Sequence, residues 1–195
     1  MRYAGRSWRA FQPRGAGAAT ARLEACEGRV LGLDPGSQRT GFGVIDCVGG
    51  RERYVVSGCI DVRGRDMIAR LQRIYSDVST LVRQHQPDIV AIERVFMHRN
   101  PDSALKLGQA RGAALCAIPR EVPVFEYAPR AIKLAVVGSG NAEKFQVAHM
   151  IRALLSLSES PGADAADALA VAVCHAHARR VRVLAQGGGV QSLQA

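Results

Sequence analysis

Residues 29–45 read RVLGLDPGSQRTGFGVI, and the parsing of this stretch decides the fold. The apolar run Val30-Leu31-Gly32-Leu33 ends on a single carboxylate, Asp34. Pro35-Gly36-Ser37 then turns the chain, and Thr40-Gly41-Phe42-Gly43-Val44-Ile45 runs apolar again. Short apolar runs bounded by turn residues predict a buried strand, a tight turn and a second strand. An acid that closes a buried strand has lost hydration and needs compensation. Asp34 is equally readable as the first residue of an Asp-Pro-Gly turn, accepting from its own backbone. On this stretch alone the two readings stand level, and three further acids decide between them.

Outward from it, Arg53–Ile60 is rich in β-formers and follows Val48-Gly49-Gly50-Arg51, which has hairpin chemistry. A third strand therefore lies next to the second. Ile68, Leu71, Ile74, Tyr75, Val78, Leu81 and Val82 recur at spacings of three and four, which predicts an amphipathic helix over 66–85, closed by Pro87. Asp88-Ile89-Val90-Ala91-Ile92-Glu93 is again a short apolar run that finishes on a carboxylate. A helix over 102–118, capped by Asp102 or Ser103, carries Gly108 and Gly112, whose spacing would let another backbone approach. A fifth strand over 122–127 follows, then a short helix from Pro129 and the loop Gly138-Ser139-Gly140-Asn141. Two more helices are expected, one over 142–155 and a last one from about Asp164 to Arg180.

The predicted fold class is α/β, a mixed five-stranded sheet flanked by helices. Strands 29–34, 88–93 and 122–127 alternate with helices and should be parallel, with the 40–60 hairpin extending the sheet antiparallel. Open α/β sheets bind ligands at the carboxyl ends of their strands, where Asp34 and Glu93 fall.

The chain has 195 residues, 48% of them hydrophobic, enough for one good core, and a formal net charge of +9. That balance favours an acidic partner such as nucleic acid or an anionic membrane. Residues 1–28 contribute Arg2, Arg6, Arg9, Arg14 and Arg22 against Glu24 and Glu27. The remainder keeps 21 basic and 15 acidic residues, so the excess belongs to the folded part. This leader has no sustained apolar segment, which excludes a secretory signal. It is compatible with an organellar transit peptide, with a flexible arm touching DNA, or with a start assigned too far upstream, the reading favoured here. Domain boundaries are expected at 28 and 180, with 181–195 a flexible tail.

Five cysteines without a CxxC pair argue against a disulfide framework and for a reducing, cytoplasmic setting. Cys174-His175-Ala176-His177 has soft-metal ligands, but no second cluster completes a zinc site. No apolar run is long enough for a membrane span.

Asp164 and Asp167 stand three apart at the start of a helix otherwise made of Ala, Leu and Val. Residues at i and i+3 share a helix face, so both carboxylates should point one way. Acids in a first turn also simply complement the helix dipole. Here, though, they are the only charges between Gly162 and Cys174, on a helix apolar enough to be buried on most sides. Asp34, Glu93, Asp164 and Asp167 therefore form one proposed cluster. Converging like charges require raised pKa values or cations among them. An all-carboxylate set suits two Mg²⁺ ions, or Mn²⁺ in their place, the arrangement that clamps both oxygens in phosphodiester cleavage.

LGLDPGSQRTGFGVI, AIERVFM, DSALKLGQARG, PVFEYAPRAIK, VGSGNAEKFQVAHM and ADAADALAVAVCHAH, in order over about residues 29–178, closely resemble the RuvC family of bacterial Holliday-junction resolvases. The resemblance implies an RNase H-like fold and a homodimeric Mg²⁺-dependent endonuclease. Such an enzyme nicks two strands of like polarity in a four-way DNA junction during recombination and repair, with RuvA and RuvB as partners. The family's four catalytic, metal-holding acids fall on Asp34, Glu93, Asp164 and Asp167. By the same resemblance Lys133 and Lys144 contact phosphates near the cut, and Phe96 wedges against bases at the junction centre. Lys106 lies within a matched motif and is taken as a further DNA contact. Arg94 stands where the family commonly has glutamine and is counted among the DNA contacts. Only Lys106, Lys133 and Lys144 are lysines among 26 basic residues, and all three lie in the matched motifs.

Asp-Pro-Gly-Ser followed by Thr-Gly also resembles the first phosphate loop of actin-like ATPases and sugar kinases. Those duplicate that loop in a second lobe, and this sequence shows no internal repeat.

Overall fold

The computed structural model of the chain describes residues 27–94 and 100–187. The arginine-rich leader, the Phe96 wedge and the last eight residues lie outside them.

β1 (Gly28–Pro35) is the centre of a five-stranded sheet. β2 (Arg39–Val48) pairs with it antiparallel, and β3 (Arg51–Asp61) pairs antiparallel with β2 at one edge. Gly49 and Gly50 connect them with φ of 57° and 74°, the two left-handed residues that a tight hairpin turn needs. On the other side of β1, β4 (Ile89–Glu93) and then β5 (Val124–Tyr127) run parallel to it. The spatial order β3-β2-β1-β4-β5 is the mixed five-stranded sheet that the sequence predicts.

Alternation along the strands divides the core. Leu31, Leu33, Val90 and Ile92 face one side, where α1 (Met67–His85) and α2 (Pro101–Cys116) cover them with Ile74, Val78, Val82, Ala110 and Ala114. Val30 and Ala91 face the other side, against α3 (Pro129–Val137), α4 (Lys144–Leu154) and α5 (Ala163–Gly187). α5 is the spine of that layer. Its Ala166 and Ala168 through Cys174 are buried almost completely, which explains why a helix of small apolar residues carries so few charges.

Two glycines set how closely α5 lies on the sheet. A Cβ on Gly32 would overlap the carbonyl oxygen of Ala168, and one on Gly41 would overlap that of Asp164. Backbone therefore rests on backbone where the acids emerge.

Three expectations need correction. α2 starts at Pro101, and its cap is Asn100, whose side chain accepts from the Asp102 and Ser103 amides; those two residues are inside the helix. A Cβ on Gly108 or Gly112 would meet nothing within 4 Å, so no backbone of the described chain uses that close approach. α5 continues past Arg180 to Gly187, so helix occupies the first part of the expected tail. Arg180 sits within it, donating to Glu52 and to the Gly50 carbonyl, which ties the helix to the β2–β3 turn. Among the described residues no helix is long and apolar enough to cross a membrane.

Candidate active site

Leu33 pairs with Ile92 in the parallel β1–β4 ladder, so Asp34 and Glu93 come next on adjacent strands. Leu33 and Ile92 face α1 and α2; their successors therefore project to the opposite face, where α5 begins. There Asp34, Glu93 and Asp167 line one cavity of about 310 Å³, together with Lys133, Lys144, Pro129, Ile132, Val147 and Ala170. A larger cleft of about 670 Å³ lies between β3 and residues 155–161, but it contains none of these acids.

The electrostatics of the cavity follow from burial without enough counter-charge. Desolvation first, then the neighbouring Asp167, pushes the Asp34 carboxyl up to about 6. Desolvation and the nearby Asp34 push Glu93 up to about 7. Lys144 opposes both shifts, and Lys133 opposes that of Glu93. The Lys144 ammonium donates to Asp167 Oδ2 at 2.9 Å, which raises its own pKa. Lys144 reaches the cavity because it opens α4. Its predecessor Glu143 forms a capping box with Gln146, which sets the direction in which the helix starts.

Asp164 is turned elsewhere. Its Oδ2 takes Arg39 Nη1 at 3.3 Å and Cys59 Sγ at 3.4 Å, on the β2–β3 side of Asp34. Burial pushes the Cys59 thiol up to about 11, which keeps it protonated as a donor. The expectation that both aspartates point one way is therefore half met. They flank Asp34, Asp167 from the α4 side and Asp164 from the β2 side. Successive turns of one helix that crosses two strands meet different neighbours. Sequence reading missed Arg39 and Cys59, whose partner lies more than a hundred residues away; the only local signal was an arginine opening a strand beside the acids.

Among the described residues, the other two expected DNA contacts, Arg94 and Lys106, do not line the cavity. Arg94 lies on the β5 side, its Nε 3.7 Å from Glu126, which also takes Arg111 at 2.6 Å. Lys106 is exposed on α2 and pairs with Asp102 one turn back. His149 is exposed on α4. Cys174, His175 and His177 are not among any group of three or more side chains arranged to hold an ion within the described residues. Cys174 and His175 are buried, His175 shares a hydrogen bond with the Tyr127 hydroxyl, and His177 lies against the Ala135 carbonyl.

The model of a family described as crossover junction endodeoxyribonuclease RuvC matches residues 30–175. The chain belongs to the RuvC family. A crossover junction endodeoxyribonuclease RuvC of Shewanella piezotolerans is 55% identical over 164 residues, 84% of this chain and 94% of that protein. The solved structure of Thermus thermophilus RuvC, 35% identical, superposes with a TM-score of 0.72 over 80% of this chain and 97% of the other. A second T. thermophilus RuvC structure, in complex with a Holliday junction substrate, gives a TM-score of 0.74 at 34% identity over the same shares. The mixed sheet and its flanking helices are thus the RNase H-like resolvase fold.

RuvC nucleases depend on a divalent metal, and the residues present fit one. The donors are carboxylate oxygens, the hard set such cations prefer, and burial without enough positive charge raises the pKa of two of them, Asp34 and Glu93. Among the described residues no three His, Cys, Asp or Glu side chains are arranged to hold an ion as they stand. Lys144 and Arg39 already pair with Asp167 and Asp164. A cation would compete with those two side chains for the carboxylates.

Proposed function

We propose that this chain is a homodimeric, Mg²⁺-dependent endonuclease that resolves four-way DNA junctions by nicking two strands of like polarity. It acts in the cytoplasm during recombination and repair, alongside the RuvA and RuvB branch-migration proteins. The observation that carries this reading is the meeting of Asp34, Glu93 and Asp167 in one cavity with Lys133 and Lys144. The fold gains nothing from that convergence, since it raises the pKa values of Asp34 and Glu93.

Asp34, Glu93, Asp164 and Asp167 would hold two Mg²⁺ ions, with Mn²⁺ able to substitute. When bound, these ions supply positive charge at the phosphate oxygens and acidify water for attack on phosphorus. The chain's own side chains do the rest. Asp34, beside both Glu93 and Asp167, anchors the centre of the set. Lys144 and Lys133 hold the phosphate against the acids. Lys144, bonded here to Asp167, would be free to serve the substrate once that carboxylate has another partner. Arg94 and Lys106 lie on exposed surface as outer phosphate contacts, and Phe96 takes the wedge role by family resemblance.

The test is a synthetic four-way junction incubated with the protein, with and without Mg²⁺. Paired, symmetric, ligatable nicks that require Mg²⁺ support the reading. Binding without nicking at saturating Mg²⁺, or equal cutting of a linear duplex, overturns it.

A further inference from the structure

The fourth acid is held by a side chain outside the expected machinery. Arg39 opens β2, 45% exposed, and divides its guanidinium between two carboxylates: Nη1 lies 3.3 Å from Asp164 and Nε 3.6 Å from Asp61. Neither contact is the two-pronged arrangement in which a guanidinium binds best. Asp61 does not depend on Arg39, because Arg63 engages both of its oxygens from the next turn. Arg39 is therefore a loosely committed cation whose one distinctive partner is Asp164.

Its position gives that pairing a consequence. Arg39 follows the short connection of residues 36–38 after β1, close behind Asp34, at the end of the sheet where the cavity opens. While Asp164 is drawn to Arg39 and Cys59, its carboxylate does not line the cavity formed by Asp34, Glu93 and Asp167. A DNA phosphate offers the planar guanidinium two oxygens in matching geometry, a better partner than a single carboxylate oxygen.

Resting on the nuclease reading above, we propose that Arg39 is a positioning residue that exchanges Asp164 for a DNA phosphate. In the DNA-free protein it keeps Asp164 aside. When a strand docks, Arg39 turns to the phosphate and Asp164 is released to complete the cation site. Cation and DNA binding are then linked, and each strengthens the other by the same factor.

The test uses the full chain as wild type, Arg39→Ala, Arg39→Gln and Arg63→Ala. Ca²⁺ affinity is measured by calorimetry without DNA and with a saturating four-way junction, a gel confirming that the junction stays intact. Wild type should bind Ca²⁺ at least about fivefold more tightly with the junction present. Both Arg39 variants should bind Ca²⁺ several-fold more tightly than wild type without DNA and gain little from the junction. Arg63→Ala removes an equal charge that bonds Asp61 and not Asp164, so it acts on Asp164 only indirectly and should change Ca²⁺ affinity clearly less than the Arg39 variants. In EDTA, the salt slope of junction binding should fall by about one phosphate contact in the Arg39 variants.

An unchanged DNA-free Ca²⁺ affinity in both Arg39 variants overturns the proposal. So does a junction-induced gain equal to that of wild type, or an Arg63→Ala variant that tightens Ca²⁺ as much. If wild type itself neither binds nor nicks the junction, the nuclease reading fails instead, while the DNA-free comparison still decides whether Arg39 restrains Asp164.

Discussion

Lys144 reaches Asp167 across 23 positions of sequence, Nζ to Oδ2 at 2.9 Å, and forms one wall of the carboxylate cavity. The lysine is 80% exposed while its partner is 21% exposed, so the pair spans the boundary between solvent and site. An exposed ammonium contributes little to stability but is a strong point charge for a phosphate. Lys144→Ala should lower the nicking rate by roughly 10²-fold, a typical loss for one charge stabiliser, with thermal stability nearly unchanged. The preferred cutting sequence should stay the same, because a phosphate contact carries no base information. A shifted preference in a cleavage-site library would reject the pure phosphate role.

Asp34→Asn should abolish nicking and leave junction binding intact or tighter, since a charge that repels DNA is gone. It should also raise the melting temperature of the cation-free protein at neutral pH, because the carboxyl it replaces is desolvated beside Asp167. Substantial nicking by this variant at saturating Mg²⁺ would remove Asp34 from the centre of the set.

Divalent affinity should climb with pH across the range in which Asp34 and Glu93 ionise, about 6 and about 7. Their folded values lie above the unfolded ones, so in cation-free protein their contribution to stability is present at low pH and is lost as pH rises through those values. Bound cations reverse that loss by favouring the ionised forms. Calorimetric titration with Mg²⁺ from about pH 5.5 to 9 should show affinity rising through the two pKa values and levelling off above about pH 8. A flat profile would mean that these acids do not bind the ion.

His175 sets an opposing acid limit. It is fully buried, bonded at Nδ1 to the Tyr127 hydroxyl and tilted against Phe125, with Nε2 unpartnered. Desolvation, aided by Arg179 and Arg182, lowers its pKa to about 4. The folded state therefore binds fewer protons than the unfolded state between about pH 6.5 and 4, and stability falls as pH drops through that window. The full loss is about 3 kcal/mol for a shift of this size. Chemical denaturation of His175→Gln should show a shallower acid slope than wild type over that window; parallel slopes would contradict it.

Two glycines should answer oppositely to alanine. Gly41→Ala places a methyl group against the Asp164 carbonyl and must lift α5 from β2, at a cost of about 1–3 kcal/mol. Divalent affinity should fall with it, since α5 carries two of the acids. Gly108→Ala, in open space on α2, should stabilise the chain by up to about 1 kcal/mol. Urea denaturation of the two variants checks both signs.

Much of the site was legible before any coordinates. Apolar runs that end on Asp34 and Glu93 announced strands with acids at their carboxyl ends, and the β1–β4 register placed the two side by side. Asp164 and Asp167 stood out as charges on a helix too apolar to be a solvated one. The helix boundaries were less legible, because Asn100 and Asp102 are both good capping residues and only the packed geometry selects between them.

Sequence alone determined the elements and the mixed sheet, because periods of 2 and 3.6 and the chemistry of turns are local properties that neighbouring residues carry. Tertiary structure alone decided which face α5 would cover, and hence that Asp167 meets Lys144 in the cavity while Asp164 is drawn to Arg39 and Cys59. Those partners come together only when backbone packs against backbone at Gly32 and Gly41, and no periodicity in the chain encodes a contact between residues 39 and 164.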